Sequence, residues 1–200
     1  AISSEHAGVA RHSLGYQADG SVHVTDALGT TRLQAWSTAG ARDATYFKAG
    51  VKDTVGDIVS IELHTEQYLT GAAHGIPATQ YLNWERSRGR VMSLDEALIP
   101  ARRADYVAAL QKGHAKWLAG NPDAKRDPAA YNKMWPFQES DNFALTQDGM
   151  VIKYNAYSIA PYSHGEPELA ISYAGLRGVL RPDRAALSAA FAEGVAAAPE

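Results

Sequence analysis

The stretch "NFALTQDGMVIKYNAYSI", residues 142–159, confines the fold of this chain more than any other. Two alternating runs meet at Gln147-Asp148-Gly149, and Asp-Gly between alternating runs is a strong local signal for a hairpin. A connection that short permits only antiparallel pairing, because parallel neighbours need a long crossover. Similar punctuation recurs. Gln17-Ala18-Asp19-Gly20 and Ala27-Leu28-Gly29 separate two or three short runs within the first forty residues. Ser87-Arg88-Gly89 forms the turn in "ATQYLNWERSRGRVMSL", where Tyr81, Asn83 and Glu85 alternate with Leu82, Trp84 and Arg86. In "VGDIVSIELHTEQYL", Ile58, Ser60, Glu62 and His64 share one face and Val59, Ile61 and Leu63 the other, which marks a strand with one buried side. Strands that follow one another through hairpins, with helix inserted between strand groups, predict an α+β fold rather than alternating βαβ units.

Helix signals are fewer. Ser93 precedes "LDEAL" with Glu96 three residues on, a capping-box pattern. After Pro100, "ARRADYVAALQKGHAKWLAG" carries Tyr106, Leu110, His114, Trp117 and Leu118 at helical spacing, a face expected to pack on the sheet, with Gly120 as the stop. Residues 121–141 hold three prolines among polar residues and are predicted as a long loop with one helical turn at 129–133. "LAISYAGL" reads as a short strand, and an alanine-rich helix is expected behind Pro182. The predicted architecture is an antiparallel sheet packed against one long helix and a C-terminal helix, preceded by a small N-terminal β meander. The domain boundaries are placed at 1–44 for the meander, a shortened first subdomain, and 45–200 for the main α+β domain.

Composition removes several function classes. A net charge of −3 and an isoelectric point near 6.2 give no electrostatic footprint for nucleic acid. There is no cysteine, so thiol catalysis, disulfides and thiolate metal sites are out. No apolar run reaches the roughly 18 residues of a membrane span. The seven histidines show no ligand spacing, so no metal and no cofactor are expected; His64, His74, His164 and Glu166 are the one weak combination. The chain starts at Ala1, the start that a cleaved export signal would leave, and an exported, periplasmic or extracellular location is expected, with a membrane anchor in the removed segment as an alternative.

Two loops carry the residues with chemistry in them. "YLTGAAHG" breaks a strand and places His74 between Gly71 and Gly75. Without a nucleophile elbow or a thiol, the simpler reading is that both glycines adopt positive φ and that His74 ties the loop to backbone. "NAYSIAPYSHGEPE" is stiffened by Pro161 and Pro167 and offers Tyr157, Tyr162, Ser163 and His164, a composition suited to an interface anchor. Packing of Tyr157 and Tyr162 at a strand end is the alternative. Trp84 and Trp135 are expected in the core, with stacking on sugars as the other possibility.

The order of these landmarks resembles the domain of unknown function found in the carboxy-terminal half of RsiV-type extracellular regions, and beside the catalytic domain in PdaC-type peptidoglycan deacetylases. The likeness spans residues 45–176. The family's loop runs Tyr-Thr-Gly-Gly-Ala-His-Gly; here Leu69 intervenes and Ala72 replaces a glycine. The later signature is met by Phe143, Leu145, Thr146, Asp148 and Gly149, then Ile159, Ala160, Pro161, Tyr162 and Gly165. The resemblance implies a non-catalytic domain that binds a cell-wall hydrolase of lysozyme type and occludes or senses its cleft. It implies partner-binding residues Tyr68, Thr70, His74, Tyr157, Pro161, Tyr162, Ser163 and His164. The alternatives are a glycan-binding accessory module, with peptidoglycan as the ligand, and a hydrolase using His74 with Asp141 or Glu166.

Overall fold

The computed structural model describes the backbone of 3–7, 9–13, 20–24, 30–36 and 42–181, and side chains over 44–181. The fold is α+β with antiparallel sheets. Strands β1 (Ser3–Ala7) and β2 (Val9–Ser13) pair as a two-stranded sheet. Strands β3 (Gly20–Val24), β4 (Thr30–Trp36), β5 (Arg42–Val55), β6 (Ile58–Tyr68), β7 (Ile76–Glu85) and β8 (Arg90–Met92) form a six-stranded sheet in chain order. Helices α1 (Leu94–Ala97), α2 (Arg103–Gly120), α3 (Pro122–Arg126) and α4 (Pro128–Met134) follow. Strands β9 (Phe143–Thr146), β10 (Gly149–Lys153) and β11 (Glu168–Ser172) close a second antiparallel sheet in the order β11-β10-β9.

The chain divides into two compact units: Ala1–Gly50 with Glu62–Thr79, and Val51–Ile61 with Gln80–Glu200. Strands β5, β6 and β7 contribute residues to both. The helix expected behind Pro182 lies outside the described residues.

The second unit has a continuous core. Ile58, Met92, Tyr106, Leu110, Leu145, Met150, Ile152, Ile159, Leu169, Tyr173 and Leu176 are all at most 1% exposed. The α2 stripe faces this core, with Tyr106 and Leu110 fully buried and Trp117 packed at its margin. Three core tyrosines keep their hydroxyls satisfied by donating to backbone carbonyls: Tyr106 to Ser140 O, Tyr154 to Gln138 O and Tyr173 to Thr146 O, at 2.6–2.8 Å. Burial raises all three phenols well above their ordinary range.

β9 lies at one edge of the three-stranded sheet, and side chains take the place of a neighbouring strand there. Asn83 donates to Phe143 O at 2.8 Å and accepts from Leu145 N at 2.9 Å, the two bonds a strand partner would supply. The Ser60 hydroxyl meets Asn83 Oδ1 at 2.8 Å and Leu145 O at 2.6 Å, and Asn142 Oδ1 accepts from Tyr81 N at 2.7 Å. This explains an inversion of the usual pattern on β7. Tyr81, Asn83 and Glu85 are buried while Trp84 is 38% exposed, against the expectation that Trp84 is core. A buried edge strand needs partners for its amides and carbonyls, and Asn83 carries both a donor and an acceptor.

One element was not anticipated, and one further expectation changes. β5 is a 14-residue strand, although Lys48, Gly50, Lys52 and Asp53 blur its alternation in the sequence. Residues 122–134 form two helices instead of a loop with a single turn. Asn121 Oδ1 accepts from Asp123 N and Ala124 N, and Asp127 Oδ1 accepts from Ala130 N at 3.0 Å. Each capping residue is followed by proline at the first helical position, where a missing N–H costs nothing and φ is already set. The prolines start helices here.

Candidate functional site

The second unit presents a loop over residues 155–167, closed at its base by Tyr154 N donating to Pro167 O at 2.9 Å. Ile159 and Ala160 are completely buried and pull the middle of the loop into the core. Gln138 Nε2 donates to Ser158 O at 2.9 Å and holds the adjacent backbone. A short 3-10 helix at Tyr162–His164 follows Pro161 and ends at Gly165, whose φ of 65° needs glycine.

Tyr157 lies on the outer limb with φ of 68°, a left-handed conformation that a bulky residue adopts only when its surroundings enforce it. Its side chain is 52% exposed. The Trp135 ring stacks on it at 6.3 Å between centroids, and Tyr162 meets it at 5.6 Å. Met134, next to Trp135 at the end of α4, is 70% exposed. The result is an outward-facing apolar surface made by α4 and the loop, with Tyr157 in the middle.

Behind it, His164 joins the loop to the helices. Its Nε2 is 3.0 Å from Asp123 Oδ2, and its Nδ1 is 3.2 Å from Asn121 Nδ2. Asn121 Nδ2 also donates to Tyr131 Oη at 3.0 Å. Trp117 lies against the His164 ring at 6.2 Å and stacks on His114 at 6.1 Å. His114 is buried, and desolvation pushes its imidazole below the ordinary histidine range. A cleft of about 620 Å³ opens beside this cluster, lined by Lys116, Trp117, Asn121, Ser163, His164 and Leu169, among others.

Glu168, at the start of β11, lines the same cleft. Burial pushes its carboxyl up, but hydrogen bonds from Tyr81 and Lys52 and the charges of Lys52 and Lys153 outweigh that and hold it below the usual range. The distances are 2.5 Å from Tyr81 Oη, 3.1 Å from Lys52 Nζ and 3.7 Å from Lys153 Nζ.

The first unit contains the 69–75 loop. Ala72 N donates to Leu69 O at 2.9 Å, Gly71 has φ of 88°, and the Tyr68 hydroxyl donates to Ala72 O at 3.3 Å. His74 Nδ1 is 2.8 Å from Gly75 O, a backbone tie of the kind expected. Gly75 is outside the left-handed region, against the expectation of positive φ; a Cβ there would stand 2.9 Å from Glu66 Oε1, the tip of a flexible side chain that can move aside. Tyr68, Leu69 and Ile76 are 42%, 41% and 54% exposed. His64 Nδ1 is 2.9 Å from Thr79 Oγ1. Of the residues expected at a recognition edge, Tyr68, Thr70 and His74 belong to this unit, and Tyr157, Pro161, Tyr162, Ser163 and His164 to the other. Asp141, considered as a partner for a catalytic His74, pairs with Arg103 at 2.5 Å.

Sequence reasoning missed Asn121 and Asp123, which hold His164, Tyr131, which accepts from Asn121, and Met134. The signal was present in the Asn-Pro and Asp-Pro pairs, which place helix starts at 121 and 127.

Residues 99–174 match the model of a family described as "Protein of unknown function (DUF3298)". The chain is similar to a solved DUF3298 family protein from Pseudomonas aeruginosa PAO1, with 36% identity and a TM-score of 0.64 over 69% of this chain and 62% of that one. It is also similar to a solved member of that family from Bacteroides fragilis NCTC 9343, with 25% identity and a TM-score of 0.56 over 68% of this chain and 53% of that one. The chain therefore spans less than two thirds of the length of either relative. No curated protein matches it.

Proposed function

We propose that this chain is a non-catalytic, exported recognition domain that binds a cell-wall hydrolase of lysozyme type and occludes or senses its active-site cleft. The observation that carries the reading is Tyr157, held in a left-handed conformation, half exposed, and flanked by Trp135 and Tyr162. A preformed aromatic surface loses little entropy on binding, and such residues dominate interface energetics. The loop is anchored by buried Ile159 and Ala160, so its shape does not depend on a partner. The residue-level likeness to RsiV-type extracellular domains supplies the partner class. Tyr162 and Ser163 are the groups that would meet the carboxylate pair of such a cleft, one member protonated and the other ionised, with His164 behind them holding the turn.

Titration of a c-type lysozyme against the wild-type chain and Tyr157→Ala tests this. The variant is expected to lose at least about 30-fold in affinity, the scale of a hot-spot residue. No binding by the wild type, or equal binding by the variant, removes the reading.

One observation favours a second reading, a glycan-binding accessory module. Trp135, Tyr157 and Tyr162 form a ladder with interplanar angles of 30° at both steps, and aromatic faces stack well on sugar rings. Co-sedimentation with insoluble peptidoglycan, with no hydrolase present, separates the two: retention that disappears in Trp135→Ala belongs to the glycan reading.

A further inference from the structure

The contacts of Asn121 leave its amide no freedom of orientation. Its Oδ1 accepts from Asp123 N at 2.9 Å and Ala124 N at 3.4 Å, capping α3, so Nδ2 is the group turned toward Tyr131 and His164. An amide nitrogen only donates. The His164 Nδ1 at 3.2 Å must therefore accept, and an imidazole with a bare Nδ1 carries its proton on Nε2. That proton points at Asp123 Oδ2 at 3.0 Å, and the other oxygen of Asp123 faces Arg126 at 3.3 Å.

We infer that His164 is a positioning residue, set by the α3 cap as the Nε2–H tautomer when neutral, and that this arrangement fastens the 162–164 turn to α3 in a pH-dependent way. When the ring takes a second proton, Nδ1–H faces Asn121 Nδ2–H and two donors meet with no acceptor between them. The contact to Asp123 persists and gains charge. The loop then keeps one of its two fastenings to this corner and pivots about Asp123, carrying Tyr162 and Ser163 with it. The charged and titratable groups around the ring come from the packed elements: Lys116 on α2, Asp123 and Arg126 on α3, Tyr131 on α4 through Asn121, and Glu168 on β11. Regulation of partner binding by this device rests on the recognition reading of the loop; the proton arrangement does not.

Asn121→Asp separates the device from folding, because aspartate caps a helix as well as asparagine but presents a second acceptor to Nδ1. Imidazole nitrogen NMR of the isolated chain, with ring signals of Tyr157 and Tyr162 as loop reporters and those of Tyr106 and Tyr173 as core controls, reads it without any partner. In the wild type, neutral His164 is expected as the Nε2–H form, and the Tyr162 signals are expected to move with the His164 titration. In Asn121→Asp with unchanged core signals, the carboxylate accepts from Nδ1–H, both fastenings survive the second proton, and the Tyr162 signals are expected to stay in place. A proton on Nδ1 in the neutral wild type, or Tyr162 signals indifferent to the His164 titration, overturns the inference. Lysozyme binding that fails while these signals behave as stated overturns the recognition reading alone.

Discussion

The 69–75 and 155–167 loops are built from similar material, and each holds a histidine beside a glycine, yet they are fixed by different means. The 69–75 loop has contacts within its own hairpin: Ala72 to Leu69, Tyr68 to Ala72, His74 to Gly75. The 155–167 loop is fixed by contacts made from a distance. Ile159 and Ala160 sit in the core, Gln138 holds Ser158, and His164 is bonded to residues 41 and 43 positions away. A loop closed on itself needs only its own residues. A loop closed on the rest of the fold inherits that fold's stability, and can hold Tyr157 in a conformation it would not adopt alone.

Substitution of the buried anchor probes that difference most strongly. Ile159→Ala is expected to lower unfolding free energy by about 2–5 kcal/mol, the cost of a core cavity, whereas Leu69→Ala on the exposed hairpin tip changes it by less than about 0.5 kcal/mol. Denaturant titration of both variants measures the gap, and equal effects break the comparison. Asn121→Ala comes next. It removes the α3 cap and two donations from Nδ2, an expected loss of about 1–3 kcal/mol seen as a lower denaturation midpoint.

The smallest predicted loss apart from the Leu69 control belongs to a locally bonded element. Glu96 closes the α1 capping box with Ser93 and pairs with Arg90 at 2.5 Å. The hydrogen bond from Arg90, then the backbone of Ser93, lowers its carboxyl from 4.5 to about 2. A depressed carboxyl stabilises the fold above its unfolded pKa, and the contribution fades as pH falls from about 4.5 toward 2. Glu96→Gln is expected to cost about 1 kcal/mol at neutral pH, the scale of a helix cap, and to differ progressively less from wild type across that acid window. Thermal denaturation at neutral and acid pH reads it; a difference independent of pH assigns the effect to packing instead.

Local devices were legible in the sequence. The Ser93–Glu96 capping box, the Asp148-Gly149 turn between β9 and β10, and the α2 stripe all appear where spacing places them. The caps at Asn121 and Asp127 are equally local; three prolines drew attention to breakage when two of them mark beginnings. The burial of Asn83 with Ser60, and the exposure of Trp84, had no local signal. They follow from an edge strand, β9, whose partners lie some sixty and eighty-five residues away in the chain. The candidate site divides in the same way. Composition pointed to Tyr157, Tyr162 and His164, but the ladder through Trp135 and the fastening through Asn121 and Asp123 depend on α3, α4 and the loop being brought to one corner.

By itself, the sequence determined the antiparallel α+β class, the hairpins, the long helix and the exclusion of thiol chemistry. Each depends on neighbours within a few residues, where backbone sterics and hydrogen bonding act without regard to the rest of the chain. Tertiary structure alone decided which polar residues are buried, which aromatic rings face outward and which tautomer His164 carries. Those outcomes depend on satisfying buried hydrogen-bonding groups between segments far apart in sequence, and no local pattern encodes which segment will stand opposite.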